Sequence, residues 1–288
     1  MPYKTLFVKF GIGLEHISNI LYKLHKNEFF FRYKILSKKL NILWKIMQSS
    51  VIIENRVYMC INIYWRCIVM YKFETHCHTK EVSCCGKMSA ADIVEAYIKK
   101  GYSGIAITDH YTTATFLKKE NLKTSEIADH FLTGYRAALE ASNGRLDIIL
   151  GMEITFYENN NDYLVYGVTE EFLKKHTNLM DMGIERFCKL AHKNGMVVFA
   201  AHPFRNAMTI IRPSTLDGIE VHNGNKRHDS RNEIAYLWAQ KFGLAMSSGS
   251  DCHQKADVGR GGIITKKRIT NSQMLIDALL GDKKELIR

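Results

Sequence analysis

The chain has 288 residues, with 40 Lys+Arg against 29 Asp+Glu and a formal charge of +11. Its 46% hydrophobic and 24% charged residues suffice for one large domain or two modest ones and exclude disordered and fibrous classes. A balance this basic points first to nucleic acid or an anionic membrane, so its distribution along the chain matters.

Residues 1–69 hold 11 basic residues and three acids (Glu15, Glu28, Glu54), a net +8, whereas 70–288 hold 29 basic and 26 acidic residues, a net +3. No clean apolar region with a small-residue cleavage site is present, which argues against a secretory signal. Lys45, Glu54, Arg56 and Arg66 interrupt the apolar runs before about 18 residues accumulate, which argues against a membrane span. A basic amphipathic anchor would need a helical period that the segment does not keep. The preferred expectation is a misassigned start, with Met70 the initiator. That leaves 1–69 as a basic extension, a misassigned start or unstructured, and 70–288 as the working domain.

From residue 70 short apolar runs end in polar residues: YKFETHCH (71–78), GIAITDH (104–110), DIILGMEITF (147–156), YLVYGV (163–168), MVVFAAHPF (196–204), LDGIEVHNG (216–224) and LAMSSGSDCH (244–253). Amphipathic stretches lie between them. Ser89 with Asp92, and Ser230 with Glu233, have capping-box spacing, and Gly101, Gly144, Gly195 and Gly243 fall where helices should end. Strands alternating with helices predict parallel strands in an α/β barrel or doubly wound sheet.

In α/β barrels the C-terminal strand ends converge on one mouth. His76 and His78, Asp109 and His110, Glu153, His202, His222, and Asp251 and His253 all fall at such ends. In His76-Cys77-His78 the two imidazoles are two apart, so on a strand both can face one ion, and Asp251-Cys252-His253 repeats the spacing. Glu153 ends a run that reads as buried, where an unpaired carboxylate is costly. Singly, each residue has a bland structural reading. Their accumulation at successive strand ends favours metal binding.

The order THCHT, ITDHY, GMEIT, AHPFR and GSDCH resembles the PHP (polymerase and histidinol phosphatase) family over residues 71–288 and not over 1–69. The resemblance implies an α/β fold, a distorted (β/α)7 barrel. It also implies two or three divalent ions (zinc, manganese or iron) and phosphoester hydrolysis. Carried over position by position, it implies His76, His78, His110, Glu153, His202, Asp251 and His253 as ligands, with Glu153 bridging. Two departures put a third ion in question. Family members often carry an acidic or His ligand soon after HxH. Here the stretch is HTKEVSCCG, so Glu81, Cys84 or Cys85 would have to substitute. A histidine common after the Glu strand is also missing from NDYLVYGV.

Two close divalent ions suit phosphoryl transfer, because they acidify a water and neutralise phosphate oxygens. Asp251 is expected to hold a metal and orient the hydroxide. Arg205 either clamps a phosphate oxygen or forms a surface salt bridge. Lys226, Arg227 and His228 either bind an anionic substrate or form a solvated charge run. His222 or His253 is the candidate leaving-group acid, with a plain structural histidine the other reading of His222. The cysteines form no disulfide or CxxC pattern, and Cys77 and Cys252 are expected to point into packing, consistent with a reducing, cytoplasmic setting. The expected substrate is a small phosphorylated metabolite, as for histidinol phosphatases. Alternatives are a nuclease or nucleotide phosphatase on mononucleotides or short oligonucleotides, and a non-catalytic metal-stabilised regulatory module. No membrane partner is expected.

Overall fold

The computed structural model describes residues 69–116 and 124–288. The expectations for the basic extension fall, apart from Val69, outside the described residues.

The first strand, β1 (Tyr71–Glu74), is followed by helix α1 (Ala90–Lys99). Ser89 caps α1 as its spacing predicts, accepting from the Asp92 amide, and Ala90, Ile93, Val94 and Tyr97 form the buried stripe. Strands β2 (Tyr102–Ile107) and β3 (His110–Tyr111) follow, then helices α2 (Thr113–Phe116), α3 (Thr124–Phe131) and α4 (Thr133–Ser142). Strands β4 (Asp147–Thr155) and β5 (Asp162–Tyr166) precede α5 (Glu170–Lys175), α6 (Ile184–Lys193) and β6 (Val197–Ala200). The chain continues through β7 (Gly218–Asn223), α7 (Asn232–Phe242), β8 (Ala245–Gly249), β9 (Ile263–Thr265), α8 (Ser272–Leu280) and β10 (Glu285–Leu286). Gly101, Gly144, Gly195 and Gly243 all take positive φ at or just beyond helix ends, as predicted.

The sheet runs β10-β9-β1-β2-β4-β5-β6-β7-β8, with β3 added beside β4. It is a mixed α/β, nearly closed barrel. At the mouth, the chain beyond β1 meets the chain beyond β8: Cys77 bridges Cys252, the Cys252 amide donates to the His76 carbonyl, and the His78 amide donates to the Cys252 carbonyl. One expectation needs correction. The strands are not all parallel, since β5 runs antiparallel to both β4 and β6. Its link from β4 is too short for a crossover helix, so the chain must turn back on itself.

Phe73, Ile149, Leu164, Tyr166, Phe199 and Ile263 pack with Leu275, Ile276 and Leu279 of α8 in one cluster. Alternation along β4 therefore turns Glu153 to the same face as Ile149, and along β5 it turns Asp162 to the face of Leu164 and Tyr166. A second capping expectation fails. The residue before α7 is Arg231, in a left-handed conformation without a side-chain cap, and Ser230 Oγ instead accepts from Arg205. No helix among the described residues is long and apolar enough to cross a membrane.

Candidate metal centre

Glu153 lies at the centre, fully buried. Its Oε1 is 3.3 Å from His76 Nε2 and 3.2 Å from His202 Nε2. Its Oε2 is 3.2 Å from His78 Nε2 and 3.0 Å from His110 Nδ1. None of these approaches has hydrogen-bond geometry: both Glu153 oxygens, His76 Nε2, His78 Nε2 and His110 Nδ1 are buried without a hydrogen-bond partner. Orphaned buried donors and acceptors are costly, and so many converging on one carboxylate calls for an occupant. Ligands bound at ~2.0–2.1 Å around a tetrahedral ion sit roughly 3.3 Å from each other, the spacing found here. The donor set fits divalent metal.

Three overlapping groups have ligand atoms close enough to share ions: His76, His78 and Glu153; His78, His110 and His253; and Glu153, Asp162 and His202. Asp251 Oδ1 lies 3.6 Å from His76 Nε2 and 3.5 Å from His78 Nε2. All seven residues named from the resemblance thus meet in one place, together with Asp162, which sequence reasoning missed. The resemblance points to a histidine in NDYLVYGV, a stretch whose acid is Asp162. Asp162 was legible only as the polar member of the Asp162, Leu164, Tyr166 alternation.

The surroundings orient these groups. His76 Nδ1 lies 2.9 Å from Glu220 Oε1, and His78 Nδ1 3.3 Å from Ser83 Oγ, which leaves each Nε2 facing the centre. Gly249 is required there, because a Cβ would come within 2.3 Å of the His76 Cβ. His202 (φ 30°) and Asp251 (φ 48°) are non-glycine residues with positive φ, a strained backbone typical of functional positions. Asp251 Oδ2 accepts from Arg205 Nη2 at 2.9 Å and from Asn223 and Asn225 Nδ2 at 3.2 Å each, so Oδ1 is left for the centre.

Burial opposes charge throughout the cluster; opposite charges prevail at Glu153, Asp251 and His76 but not at His78 or Asp162. Against burial, His76 and His110 hold the Glu153 carboxyl well below its ordinary range, and His76 and His253 do the same for Asp251. Against burial again, Glu153, Glu220 and Asp251 lift His76, while burial with His253 and His110 alongside pushes His78 well down. Asp162 is raised by burial and by the neighbouring Glu153 charge, a repulsion that a cation between the two would relieve.

Other expected residues lie elsewhere. His222 is half-buried outside the cluster, its Nε2 3.2 Å from the Arg260 carbonyl and its Nδ1 3.2 Å from Asn232 Nδ2. The register shifts between Glu220 and His222 in β7, which breaks the alternation that would have put both on one face. His222 is in none of the three ligand groups. Arg227 is paired with Asp257 at 2.7 Å. Glu81 accepts from the Ala90 amide at the start of α1 and is not directed at the histidines. Asp109 does not orient His110 directly; it accepts from the Thr79 amide, Thr79 Oγ1 and Ser83 Oγ, each at 2.7 Å, and so fixes the loop after His78. Cys77 and Cys252 are buried in packing, as expected.

A family model described as the PHP domain matches residues 74–256, more than half of the chain. No curated protein matches it. Among solved structures it is similar to a two-domain protein from Bacteroides vulgatus containing a predicted PHP-like metal-dependent phosphoesterase, at TM-score 0.56 and 20% identity. That alignment covers 76% of this chain and 64% of the other, so the chain spans less than two thirds of that relative. PsfC from Pseudomonas syringae aligns at TM-score 0.54 and 16% identity, covering 76% of this chain and 91% of that one. A lesion-specific endonuclease from Pyrococcus furiosus aligns at TM-score 0.50 and 15% identity, covering 76% and 58% respectively. At these identities the likeness concerns the fold.

Proposed function

The chain belongs to the PHP domain family, and from that premise we propose that it is a metal-dependent phosphoesterase that hydrolyses monoesters of a small phosphorylated metabolite. The observation that carries this reading is the buried Glu153 carboxylate, 3.0–3.3 Å from four imidazoles with neither oxygen hydrogen-bonded. His76, His78, Glu153 and Asp251 would hold one ion, His110 and His253 a second with Glu153, and Asp162 and His202 a third.

Ions bound there supply an acidified water as nucleophile and neutralise phosphate oxygens as charge shifts. The chain's own residues do the rest. Glu220 fixes the His76 ring, and Arg205, Asn223 and Asn225 fix Asp251 with Oδ1 turned inward. Arg205 keeps a buried Nε–H without a partner, a donor suited to a phosphate oxygen. His253, whose Nδ1 lies 2.9 Å from the Asp251 carbonyl, serves as a ligand rather than as the leaving-group acid. A small substrate is favoured because the domain carries only +3 and its nearby arginines are engaged: Arg227 with Asp257, and Arg231 with Asn206 and the Phe204 carbonyl.

The test is turnover by the full chain, loaded in turn with manganese, zinc and iron. Substrates are p-nitrophenyl phosphate, histidinol phosphate, mononucleotides and a short labelled oligonucleotide. Monoester hydrolysis without oligonucleotide cleavage is expected. Cleavage of the oligonucleotide with equal efficiency would establish the nuclease reading, and no turnover with any metal would establish a non-catalytic module.

A further inference from the structure

Three consecutive residues at the start of α7 converge on Arg205. Ser230 Oγ accepts from Arg205 Nη2 at 3.2 Å. Arg231 reaches the loop on both sides of Arg205, with Nη1 donating to the Phe204 carbonyl at 3.1 Å and Nη2 to Asn206 Oδ1. Asn232 pairs with both backbone groups of Asn223. Its Oδ1 accepts from the Asn223 amide at 2.9 Å, and its Nδ2 donates to the Asn223 carbonyl at 3.1 Å. Asn223 Oδ1 in turn accepts from Arg205 Nη2 at 3.2 Å. One short segment thus holds the guanidinium, the chain on either side of it and the side chain beside it.

The start of α7 is built against its own stability to do this. No side chain caps the helix, and Arg231 occupies the capping position in a left-handed conformation (φ 48°, ψ 49°). A capping side chain and a right-handed backbone are the more stable choices. Such strain persists where the surroundings over-determine it, and functional sites are where it collects. Here the turn sends the Ser230 and Arg231 side chains to the loop instead of to the helix amides. The Arg231 carbonyl accepts from the Ile234 and Ala235 amides, so α7 anchors the segment. On the loop, the Arg205 amide donates to the His202 carbonyl, and the Arg205 carbonyl accepts from the Met208 amide. Arg205 Nη2 therefore faces three acceptors, Asn223, Ser230 and Asp251, while its Nε is buried without a partner. Because the guanidinium is planar, fixing Nη2 and the flanking backbone also fixes the direction of the Nε–H.

We propose that Arg231 is a positioning residue, setting the loop from Phe204 to Asn206 so that Arg205 aims its Nε–H at a phosphate oxygen of the substrate. Ser230 and Asn232 complete the cradle. The inference rests on the phosphoesterase reading above and on Arg205 as a phosphate donor within it. The side-chain partners of Arg231 are loop groups and not candidate ligands, so its removal should leave the metal content unchanged.

The experiment uses the full chain, loaded in turn with manganese, zinc and iron, and compares Arg231→Ala, Arg231→Gly, Arg205→Ala and the double variant Arg205→Ala/Arg231→Gly. Readouts are kcat/KM on p-nitrophenyl phosphate, binding of inorganic phosphate by calorimetry, metal content and the urea midpoint. Arg231→Gly should have a higher midpoint than Arg231→Ala, because glycine takes the left-handed region without a Cβ penalty. Both should nonetheless lose kcat/KM and phosphate affinity equally, by roughly 10-fold, as misplacement of a binding group does. In the Arg205→Ala background the Arg231→Gly substitution should cost nothing further, since both act on one contact. Wild-type phosphate affinity in either Arg231 variant, or an undiminished loss in the Arg205→Ala background, overturns the positioning role and leaves the phosphoesterase reading standing. So does activity that recovers from Arg231→Ala to Arg231→Gly in step with the midpoint, the mark of a merely structural residue. Wild-type kcat/KM and phosphate affinity in Arg205→Ala would remove the phosphate role of Arg205 and this inference with it. A wild-type chain that neither binds phosphate nor turns over the ester with any of the metals overturns the phosphoesterase reading as well.

Discussion

His76 and Glu220 form a fully buried pair, with Nδ1 of the imidazole 2.9 Å from Oε1 of the carboxylate. The contact fixes which nitrogen of His76 faces Glu153. Glu220 Oε2 meanwhile accepts from the His202 amide and from Asn223 Nδ2. One carboxylate therefore sets the ring of one candidate ligand and the strained backbone of another. Glu220→Gln should lower metal affinity by roughly 10–100-fold, as loss of an orienting partner does. Competition against a chromophoric chelator measures it, and an affinity equal to wild type would remove this role from Glu220.

Asp162 should matter more than a surface acid. Asp162→Asn is expected to reduce bound metal by about one ion per chain, read by elemental analysis after dialysis, without changing the far-ultraviolet circular dichroism spectrum. Unchanged metal content would exclude Asp162 as a ligand.

Arg205 and His222 make a contrasting pair. Arg205→Ala removes one of the three donors to Asp251 Oδ2 and the free Nε donor, and kcat/KM for a phosphomonoester should fall about 10–100-fold, the loss of one or two charge-assisted hydrogen bonds. His222→Asn should stay within roughly twofold of wild type, since it touches Arg260 and Asn232 rather than the cluster. Steady-state kinetics on the same substrate compares them. A larger loss in the His222 variant than in the Arg205 variant would reverse the two assignments.

Glu74 gives a pH dependence. Burial raises its carboxyl to about 7 from an ordinary 4.5, against hydrogen bonds from Ser250, Tyr97 and the His76 amide. The folded chain therefore holds a proton that the unfolded chain releases at lower pH. The stability linked to Glu74 is complete below about 4.5 and is lost as pH rises through about 7. Urea midpoints of metal-free protein should fall from pH 6 to pH 8. Glu74→Gln should show a smaller fall over that interval, from a starting stability about 1–3 kcal/mol lower because partners of the carboxylate lose an acceptor. An equal fall in both proteins would assign the dependence to other groups.

Much of this was legible in the sequence, because strand ends in an α/β barrel are marked by the step from apolar run to polar residue. That step located His76, His110, Glu153, His202 and Asp251. It could not locate Asp162, which opens a strand rather than closing one, because β5 runs opposite to its neighbours. It could not place His222 relative to Glu220, because the shift in β7 falls between those two residues and leaves no compositional trace. The capping signal at Ser89 was sound, while the same spacing at Ser230 was diverted by Arg205, a partner 25 residues away in sequence.

The meeting of Cys77 with Cys252 has a consequence for the order of events in folding. The contacts that join the two ends of the domain at the mouth span 173 to 176 residues. His76 and His78 thus lie near the start of the domain, and Asp251 and His253 beyond its eighth strand. A nascent or truncated chain ending before β8 has six of the eight proposed ligands and lacks Asp251 and His253, so the proposed ion positions that use those two stay incomplete until the first and last parts of the barrel have met. Because such non-local contacts form slowly, filling of the positions that use Asp251 and His253 would report that the topology of this chain is finished.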